Sequence, residues 1–558
     1  MKKTIKYTFI SALFLGLAAC DVDNTLPEIK NPETAVVNLD KGSADFSNYI
    51  AVGASFTAGF TDGALFAIGQ QNSFPNILAS KFKMGNGGDF NQPLMGDNIG
   101  GLLNPATNMA APNAEPRFYF DPTTRAPKRL TDKPGTILGA PATNAPNFHN
   151  YGIPGAKSYH FVAPGYGSAA GLVTVPPTAN PYFVRMAPTQ STVIAEAASK
   201  APTFFTMSEV GGNDVLGYAI SGGIGIDQTG KGNPLSAYGS NDITDPTVFA
   251  GVFSGMVNAL TGTGAKGVVA TVPYITSLPY FTTVPHNPLD PRTNASLKAQ
   301  IPTLNTVYGA INAVFTAVGQ TDRVIEFKYT EGNPVVIIDE DAPDLTTTII
   351  TALNNNPQFP AFVQQFGLPA AAAPNVANLL GATYGKARPA TKEDLIVLPS
   401  SGIIGEVNAA NVDALKAQGL PDALAAQFSA EGVTLPLADQ WVLTPQEQAS
   451  IKTATDAYNT TIESLVTGNA NVALVDFKAI LEEASKGIMF DEFNVNTSLV
   501  FGGLVGLDGI HLTGRGYALM ANKILEAIDS KFGSNFKNAT NGFAKAADYP
   551  TNYSPALK

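Results

Sequence analysis

Short apolar runs that alternate with helix-like segments are the feature that most constrains the fold of this chain. The runs lie at residues 49–52, 148–158, 203–214, 266–275 and 471–477, and each is closed by Gly, Pro or Asn. Helix-like segments lie at about 189–199, 247–261, 303–318, 445–467 and 513–531. This alternation predicts an α/β fold with a parallel sheet that helices cover on both faces. In such a sheet we expect the chemistry at the carboxyl ends of the strands.

Composition narrows the classes of function. Of the 558 residues, 44% are hydrophobic and 14% are charged, which is enough apolar material for a large core. The formal net charge is −11, and Lys and Arg do not cluster, which argues against a nucleic-acid-binding protein. The chain has one cysteine, so it cannot form a disulfide within itself.

The N-terminus has the pattern of a lipoprotein signal peptide. A lysine-containing start precedes an apolar segment at residues 7–19 that is too short to span a bilayer. The sequence Leu-Ala-Ala-Cys then looks like a bacterial lipobox, in which Cys20 is lipidated and becomes the mature N-terminus; a plain cleavage site with an incidental cysteine is the alternative. We therefore expect a signal peptide at residues 1–19 and a lipidated cysteine with a polar tether at residues 20–47. No later apolar segment reaches roughly 18 residues, so we expect the anchor to be lipid only.

A lone serine, Ser55, stands in GASFTAG at the end of the first apolar run. It is either a turn residue or a nucleophile, and a nucleophilic hydroxyl needs a base, usually a histidine that a carboxylate orients. Of the four histidines, His511 stands out because Asp508 precedes it by three residues and Thr513 can cap the helix that follows. Ser55, Asp508 and His511 are therefore the candidate catalytic residues.

Two further strand ends carry groups that would stabilise an oxyanion. Gly155 lies in NYGIPG after the second run, and Asn213 lies in GGND after the third. Backbone N–H groups on glycine-rich turns and asparagine amides are suitable donors. Four strand ends thus carry, in chain order, a serine, a glycine, an asparagine and an Asp-x-x-His pair.

This order resembles that of the SGNH, or GDSL-like, hydrolases. GASFTAG is similar to their first block, NYGIPG to the second, GGND to the third and DGIH to the last. The resemblance implies a three-layer flavodoxin-like SGNH fold and hydrolysis of acyl esters without a metal or other cofactor. It also implies a triad of Ser55, His511 and Asp508, and an oxyanion hole formed by Ser55, Gly155 and Asn213.

The first block departs from the family pattern at two positions. Ala54 replaces the usual Asp, and Phe56 replaces the usual Leu. The replaced Asp is neither nucleophile nor base in the family, so we expect the chemistry to survive with an altered local turn.

The spacing of the motifs leaves room for two insertions in the SGNH core. The first, at about 66–147, is rich in Pro, Asn and Gly and is typical of long ordered loops. The second, at 281–440, has helix-like stretches at 347–365 and 408–429. Because long structureless loops are rare in compact domains, we expect the second insertion to form a cap or subdomain beside the active site; peripheral decoration is the alternative. The core would then comprise residues 48–280 and 441–535, and a C-terminal tail would occupy 536–558.

The extended pattern, including GLPDALAAQF and PLADQWVLTPQE, looks like a group of large SGNH lipoproteins from Bacteroidetes-type bacteria. The similarity covers most of the mature chain. Such proteins accompany outer-membrane channels for fatty-acid-like molecules. The resemblance therefore implies a lipid-like ester substrate, an outer-membrane channel as partner, and an outer-membrane lipoprotein on the periplasmic face or the cell surface.

Three functions remain open on the sequence. The first is a lipid-anchored serine esterase or lipase. The second is a carbohydrate O-deacetylase, which uses the same triad chemistry with a different pocket. The third is a non-catalytic surface lipoprotein that binds an outer-membrane partner or a hydrophobic ligand, although such a scaffold has no need of the Asp508–His511 pair.

Overall fold

Five parallel strands form the main sheet. They are β1 (Tyr49–Gly53), β2 (Asn150–Gly152), β3 (Phe204–Ser208), β4 (Lys266–Ala270) and β5 (Val472–Val475). The order across the sheet is β2-β1-β3-β4-β5, and every neighbouring pair is parallel. All residues of β1 and β3 are buried, as expected for a parallel sheet that is covered on both faces. The predicted α/β class with a parallel sheet is therefore confirmed.

The structure is a computed structural model that describes residues 36–143, 145, 147–186 and 190–558. The expected signal peptide at 1–19 and lipidated Cys20 lie outside the described residues. The chain divides into a short N-terminal unit, Met1–Asn38, and a large unit, Leu39–Lys558. None of the helices in the described ranges is both long and apolar enough to cross a membrane.

Helices pack on both faces of the sheet. The helices around the sheet are α1 (Ser55–Ala58), α2 (Phe74–Phe82), α3 (Val193–Ser199), α4 (Asn213–Ile220), α5 (Pro246–Thr261), α6 (Pro445–Val466), α7 (Phe477–Lys486) and α8 (Gly514–Phe532). Ile50 and Val52 of β1 belong to one hydrophobic core with residues of α3 to α6. Tyr49 and Ala51 belong to a second core with residues of α2 and α8. Successive side chains of one strand thus point into different cores, which gives three layers.

The first insertion is only partly made of loops. Its expected description as long ordered loops is wrong for α2, which packs its apolar residues Phe74, Ile77, Leu78 and Phe82 into the second core. Other regular elements among the described residues of 66–147 include a short helix, a 3-10 turn and two hairpins: Ala67–Gln71, Lys83–Gly85, Leu103–Asn104 with Met109–Ala110, and Phe118–Asp121 with Ala126–Arg129.

The second insertion has a hydrophobic cluster of its own. Its helices are Ala295–Ala317, Thr346–Asn355, Phe359–Gln364, Ala373–Tyr384, Ala409–Ala417 and Asp422–Gln427. Its paired strands are Val336–Ile338 with Ala387–Pro389, and Leu395–Ile396 with Val442–Leu443. Side chains from the first four of these helices and from the paired strands share one core. Beside them, the short helix Pro279–Thr282 contacts the loop of the candidate site, because the Tyr280 N–H donates to Gly509 O at 3.0 Å.

One helix of this insertion begins earlier than the sequence predicts. The predicted start near residue 303 avoids Pro302, since proline usually ends or bends a helix. The observed helix starts at Ala295 and includes Pro302. The Asn294 side chain accepts a hydrogen bond from the Leu297 N–H at 3.0 Å and caps the first turn.

The segments before and after the expected core pack against it and do not form separate tails. Phe46, within the predicted tether, is fully buried and stacks on Phe82 with ring centroids 4.1 Å apart. Phe536, within the predicted tail, is also fully buried against the same core. A further pair of short strands, Ile488–Phe490 and Phe493–Val495, lies between α7 and the candidate site loop. The folded unit therefore extends beyond residues 48–535.

Arg117 fastens the C-terminal segment to the first insertion. Its side chain is fully buried, and its guanidinium donates to Ser554 O at 2.7 Å, Leu557 O at 2.9 Å and Tyr553 O at 3.3 Å. The Nε–H donates to Asn98 O at 2.7 Å. Because the guanidinium is buried and makes all these bonds at once, the contact is costly to remove, although Ser554 O also accepts from the Leu557 N–H at 3.1 Å.

We predict that Arg117→Met lowers the free energy of unfolding by about 2–4 kcal/mol, because it removes every hydrogen bond that the buried guanidinium makes to backbone carbonyls of two segments. The exposed Arg292→Met is the matched control and should change stability by less than about 1 kcal/mol, since Arg292 makes only a surface ion pair with Asp290. Urea denaturation of both variants measures the difference. Equal stability of the two variants would contradict the role of Arg117.

Candidate functional site

Ser55 lies where β1 turns into the short helix α1, at the carboxyl edge of the sheet. It is 8% exposed. Two glycines let the turn approach its neighbours: a Cβ at Gly53 would overlap Thr57 Oγ1, and a Cβ at Gly152 would overlap the backbone of Ala58. The serine is therefore held on a tightly packed strand-to-helix turn, as the sequence predicts for a nucleophile or for a structural turn.

Asp508 and His511 form a hydrogen-bonded pair on the loop before α8. His511 Nδ1 lies 2.9 Å from Asp508 Oδ2. Asp508 Oδ1 accepts from the N–H groups of Ile510 at 2.9 Å and His511 at 2.8 Å, so the loop folds around the carboxylate. The predicted cap is present, because Thr513 Oγ1 accepts from the Gly516 N–H at 3.0 Å.

Electrostatics favour an ionised Asp508. Burial by itself raises the pKa of this carboxyl, but His511 and the hydrogen bonds from His511 and Ile510 outweigh burial, and the pKa of Asp508 lies below its ordinary value. With Asp508 accepting at Nδ1, the imidazole is oriented and Nε2 is the nitrogen left for proton transfer.

The loop that carries Asp508 and His511 is joined to the segment after Ser55 by two hydrogen bonds of opposite direction. The Gly63 N–H donates to Asp508 Oδ2 at 2.6 Å, and the Leu507 N–H donates to Asp62 Oδ1 at 2.8 Å. We call this pair of contacts the carboxylate clasp. It connects residues 445 positions apart.

The clasp brings His511 beside the first block. The imidazole lies 4.5 Å from the Phe60 ring and 5.6 Å from the Phe56 ring, measured between centroids. In the described part of the chain the Ser55 hydroxyl has no hydrogen-bond partner, so no hydrogen bond joins it to His511 in this conformation. Catalytic hydrogen bonds often tighten only when substrate binds.

The two predicted oxyanion donors lie side by side. Asn213 begins α4, and its Nδ2 donates one hydrogen to Ala156 O at 3.0 Å, which leaves the second hydrogen of this amide for another acceptor. Gly155 is exposed in the same turn and has φ +78°, a conformation that favours glycine. No described residue accepts a hydrogen bond from the N–H of Gly155 or of Ser55.

An apolar cavity opens beside these groups. It encloses about 1040 Å³ when space at its open mouth is included. Ser55, Glu209 and Asn213 supply its polar edge. Thr271 and Thr497 also line it, but the rest of its wall is largely apolar. Most of this wall comes from α7, α8 and the loops before them: Phe477, Ile480, Leu481, Ala484, Leu504, Val505, Ile510, Leu512, Leu519 and Met520. Phe56, Leu216, Ile275 and Leu278 also contribute to it. Such a site suits a ligand with one polar group and a long apolar part.

Glu209 is a residue of this site that sequence reasoning missed. It follows β3 and lies mostly buried at the cavity edge. Its Oε1 accepts from the Thr57 N–H at 2.8 Å, and its Oε2 accepts from Thr57 Oγ1 at 3.2 Å. Burial raises the pKa of Glu209 to about 7, although hydrogen bonds to the carboxylate lower it. The available signal was an acidic residue at the end of an apolar strand, four positions before Asn213.

Asp62 is the second missed residue. It is 1% exposed and has φ +51°, a strained backbone conformation for a residue with a side chain. Burial raises the pKa of Asp62 to about 7; the Leu507 N–H opposes this shift and nearby Asp508 adds to it. In sequence it stands in Thr-Asp-Gly, which is typical of an exposed turn.

A separate group of carboxylates lies away from Ser55. Oxygens of Glu340, Asp439 and Glu447 lie within 4.8 Å of one another, which is compatible with a cation. Burial, followed by the neighbouring Glu340, raises the pKa of Asp439 to about 8. Burial likewise raises the pKa of Glu447 to about 8, with Glu340 adding to the shift and Thr444 opposing it. The cluster does not line the cavity beside Ser55.

Comparison of the chain with protein-family models, with curated proteins and with solved structures gave no match.

We predict that the stability gained by Asp62→Asn grows as the pH rises. The folded pKa of about 7 exceeds the ordinary value near 4, so Asp62 contributes stability below about pH 4 that is lost as the pH rises through 7. Asparagine keeps an acceptor for the Leu507 N–H and does not ionise. Between pH 5 and 7 the free energy of unfolding of Asp62→Asn should therefore improve relative to wild type by up to about 1.4 kcal/mol per pH unit.

Urea denaturation at several pH values between about 5 and 8 tests this prediction. The exposed Asp413→Asn is the matched control and should differ little from wild type at every pH. A stability difference for Asp62→Asn that does not change with pH would be incompatible with a buried, neutral Asp62.

Proposed function

We propose that the protein is a serine ester hydrolase of the SGNH type, acting on esters with an apolar acyl chain. The observation that carries the proposal is the hydrogen-bonded Asp508–His511 pair, clasped to the segment that follows Ser55 at the mouth of an apolar cavity. A carboxylate-oriented imidazole beside a serine on a strand-to-helix turn is the arrangement that activates a hydroxyl.

The topology supports this class. The strand order 2-1-3-4-5 is that of flavodoxin-like sheets, in which ligands bind at the carboxyl ends of the strands. Ser55, Gly155 and Asn213 follow β1, β2 and β3, which are adjacent strands in this sheet. Three of the four motifs that resemble the SGNH blocks thus lie at one edge of the sheet. The fourth, with Asp508 and His511, is not at a strand end as the sequence predicts; it lies in the loop before α8 and reaches the segment after Ser55 through the carboxylate clasp.

In the proposed mechanism Ser55 Oγ attacks the ester carbonyl carbon while His511 Nε2 takes the hydroxyl proton. Asp508 keeps Nδ1 protonated and stabilises the imidazolium. The negative charge on the carbonyl oxygen is held by the N–H groups of Ser55 and Gly155 and by the second amide hydrogen of Asn213. His511 then returns the proton to the departing alkoxide, and water hydrolyses the acyl-serine by the same steps.

The wall of the cavity favours an acyl chain over a sugar. A sugar needs several polar partners, whereas polar groups in this lining are concentrated at the edge that holds Ser55 and Asn213. We place the reacting carbonyl at this edge and the acyl chain against α7 and α8. The lipobox at Cys20 supports a lipid-anchored protein at the outer membrane, where such esters are abundant.

We expect Ser55→Ala to abolish hydrolysis of p-nitrophenyl esters, because no other group would form the acyl intermediate. The exposed Ser296→Ala is the matched control and should retain wild-type activity. Purified residues 21–558 would be assayed with acetyl to palmitoyl esters, and an active-site fluorophosphonate would report labelling of Ser55. Undiminished turnover by a folded Ser55→Ala variant would refute the nucleophile.

Filling the cavity should change the preference for chain length. Ala484 is 4% exposed and faces the cavity from α7. Ala484→Phe adds bulk to this wall, so it should lower kcat/KM for the palmitoyl ester by at least about tenfold, while the acetyl ester changes little. Ala479→Phe is the control, because Ala479 lies exposed on the same helix. Equal losses for short and long esters would argue against an acyl chain in this cavity.

A further inference from the structure

Glu209 contacts the turn that carries Ser55 from the neighbouring strand. It directly follows β3, which pairs with β1 so that Gly53 lies opposite Ser208. Its backbone has φ +46°, a conformation that costs free energy for a residue with a side chain. Strain of this kind persists where the surroundings impose it, and here it directs a carboxylate toward α1.

Both oxygens of this carboxylate are engaged by one residue of the serine turn. Thr57 donates its N–H to Oε1 at 2.8 Å and its hydroxyl hydrogen to Oε2 at 3.2 Å. Thr57 is fully buried and lies two residues after Ser55. A side chain at Gly53 would collide with Thr57 Oγ1 and crowd Glu209 Oε1, so the turn fits closely around this contact.

Burying an acidic side chain at this position costs free energy of folding. Mostly buried and near a largely apolar cavity, it loses hydration that Thr57 only partly replaces. A neutral amide or an apolar side chain would fill the same space at lower cost. Glu209 therefore lowers the stability of the fold but fixes the arrangement of the turn.

We propose that Glu209 is a positioning residue for the nucleophile: by bonding Thr57 through both carboxylate oxygens it fixes the α1 turn, and with it the direction of the Ser55 hydroxyl and N–H. This inference rests on the proposed function. It assigns Glu209 no contact with the reacting atoms. Its effect should therefore appear in the rate of acylation and not in substrate affinity.

Three variants separate positioning from simple stability. Glu209→Ala removes both acceptors and should lower kcat by about 10- to 100-fold with KM within about threefold of wild type, since small misplacements of a nucleophile have effects of this size. Glu209→Gln keeps an acceptor for the Thr57 N–H and should recover most of kcat. The exposed Glu483→Ala on α7 is the matched control and should behave as wild type.

A double-mutant cycle with Thr57 localises the effect. Thr57→Val removes the hydroxyl but keeps the N–H, so it should lower kcat less than Glu209→Ala does. In the background of Glu209→Ala the same substitution should cost nothing further, because its partner has already gone. If Glu209→Ala does not fold, the other two variants still test the proposal. Thr57→Val should then lower kcat without changing KM, and Glu209→Gln should remain active.

The outcomes distinguish this inference from the proposed function. A wild-type protein that hydrolyses no ester and is not labelled by a fluorophosphonate at Ser55 refutes the hydrolase, and the inference with it. A wild-type hydrolase whose folded Glu209→Ala variant keeps kcat refutes the role of Glu209 alone. An effect on KM instead of kcat would also overturn it. So would losses of kcat that parallel the loss of thermal stability across all variants.

Discussion

The carboxylate clasp is the contact on which the candidate site depends. Asp62 and Asp508 each accept an N–H from beside the other residue, so two loops from opposite ends of the chain are held in one register. The bond from the Gly63 N–H to Asp508 is the stronger of the two, because an ionised carboxylate is a better acceptor than a neutral carboxyl group, and burial strengthens both bonds. If the clasp opened, His511 would leave the neighbourhood of Ser55, although both residues would keep their local secondary structure.

The carboxyl groups around Ser55 have pKa values that are shifted in opposite directions. Burial raises the pKa of all three carboxyl groups, and it dominates at Asp62 and Glu209, whose pKa rises to about 7. At Asp508 the neighbouring His511 and the hydrogen bonds to the carboxylate outweigh burial, so its pKa lies below the ordinary value. Under the proposed mechanism, three ionised carboxylates near Ser55 would oppose the negative charge that develops on the carbonyl oxygen.

Local signals predicted most of what is local. The five strands, and the positions of Ser55, Gly155 and Asn213 after three of them, follow from apolar runs closed by Gly, Pro or Asn, because such runs determine backbone geometry over a few residues. The Thr513 cap was also predicted, but Asp508 and His511 lie in a loop rather than at the predicted strand end. The helix α2 was missed because its apolar spacing is embedded in a segment rich in Pro, Asn and Gly. Asp62 and Glu209 were missed for a deeper reason. In sequence both resemble solvated turn residues. Each is buried by a segment that is distant along the chain: the loop at Leu507 covers Asp62, and the helix α1 covers Glu209.

The separation of the clasped loops has a consequence for when activity can arise. The contact between Gly63 and Asp508 spans 445 positions, and the two insertions lie within that span. A chain is synthesised from its N-terminus and folds in that order, and contacts of such long range form late. The turn that carries Ser55 can therefore form long before the loop of Asp508 and His511 has been made. Until about the last tenth of the sequence docks, an emerging chain lacks both the Asp508–His511 pair and the wall of the apolar cavity that α8 and the loop before it supply. A product truncated before this loop would therefore be missing its cavity as well as its imidazole, so the two features of the candidate site appear together and last.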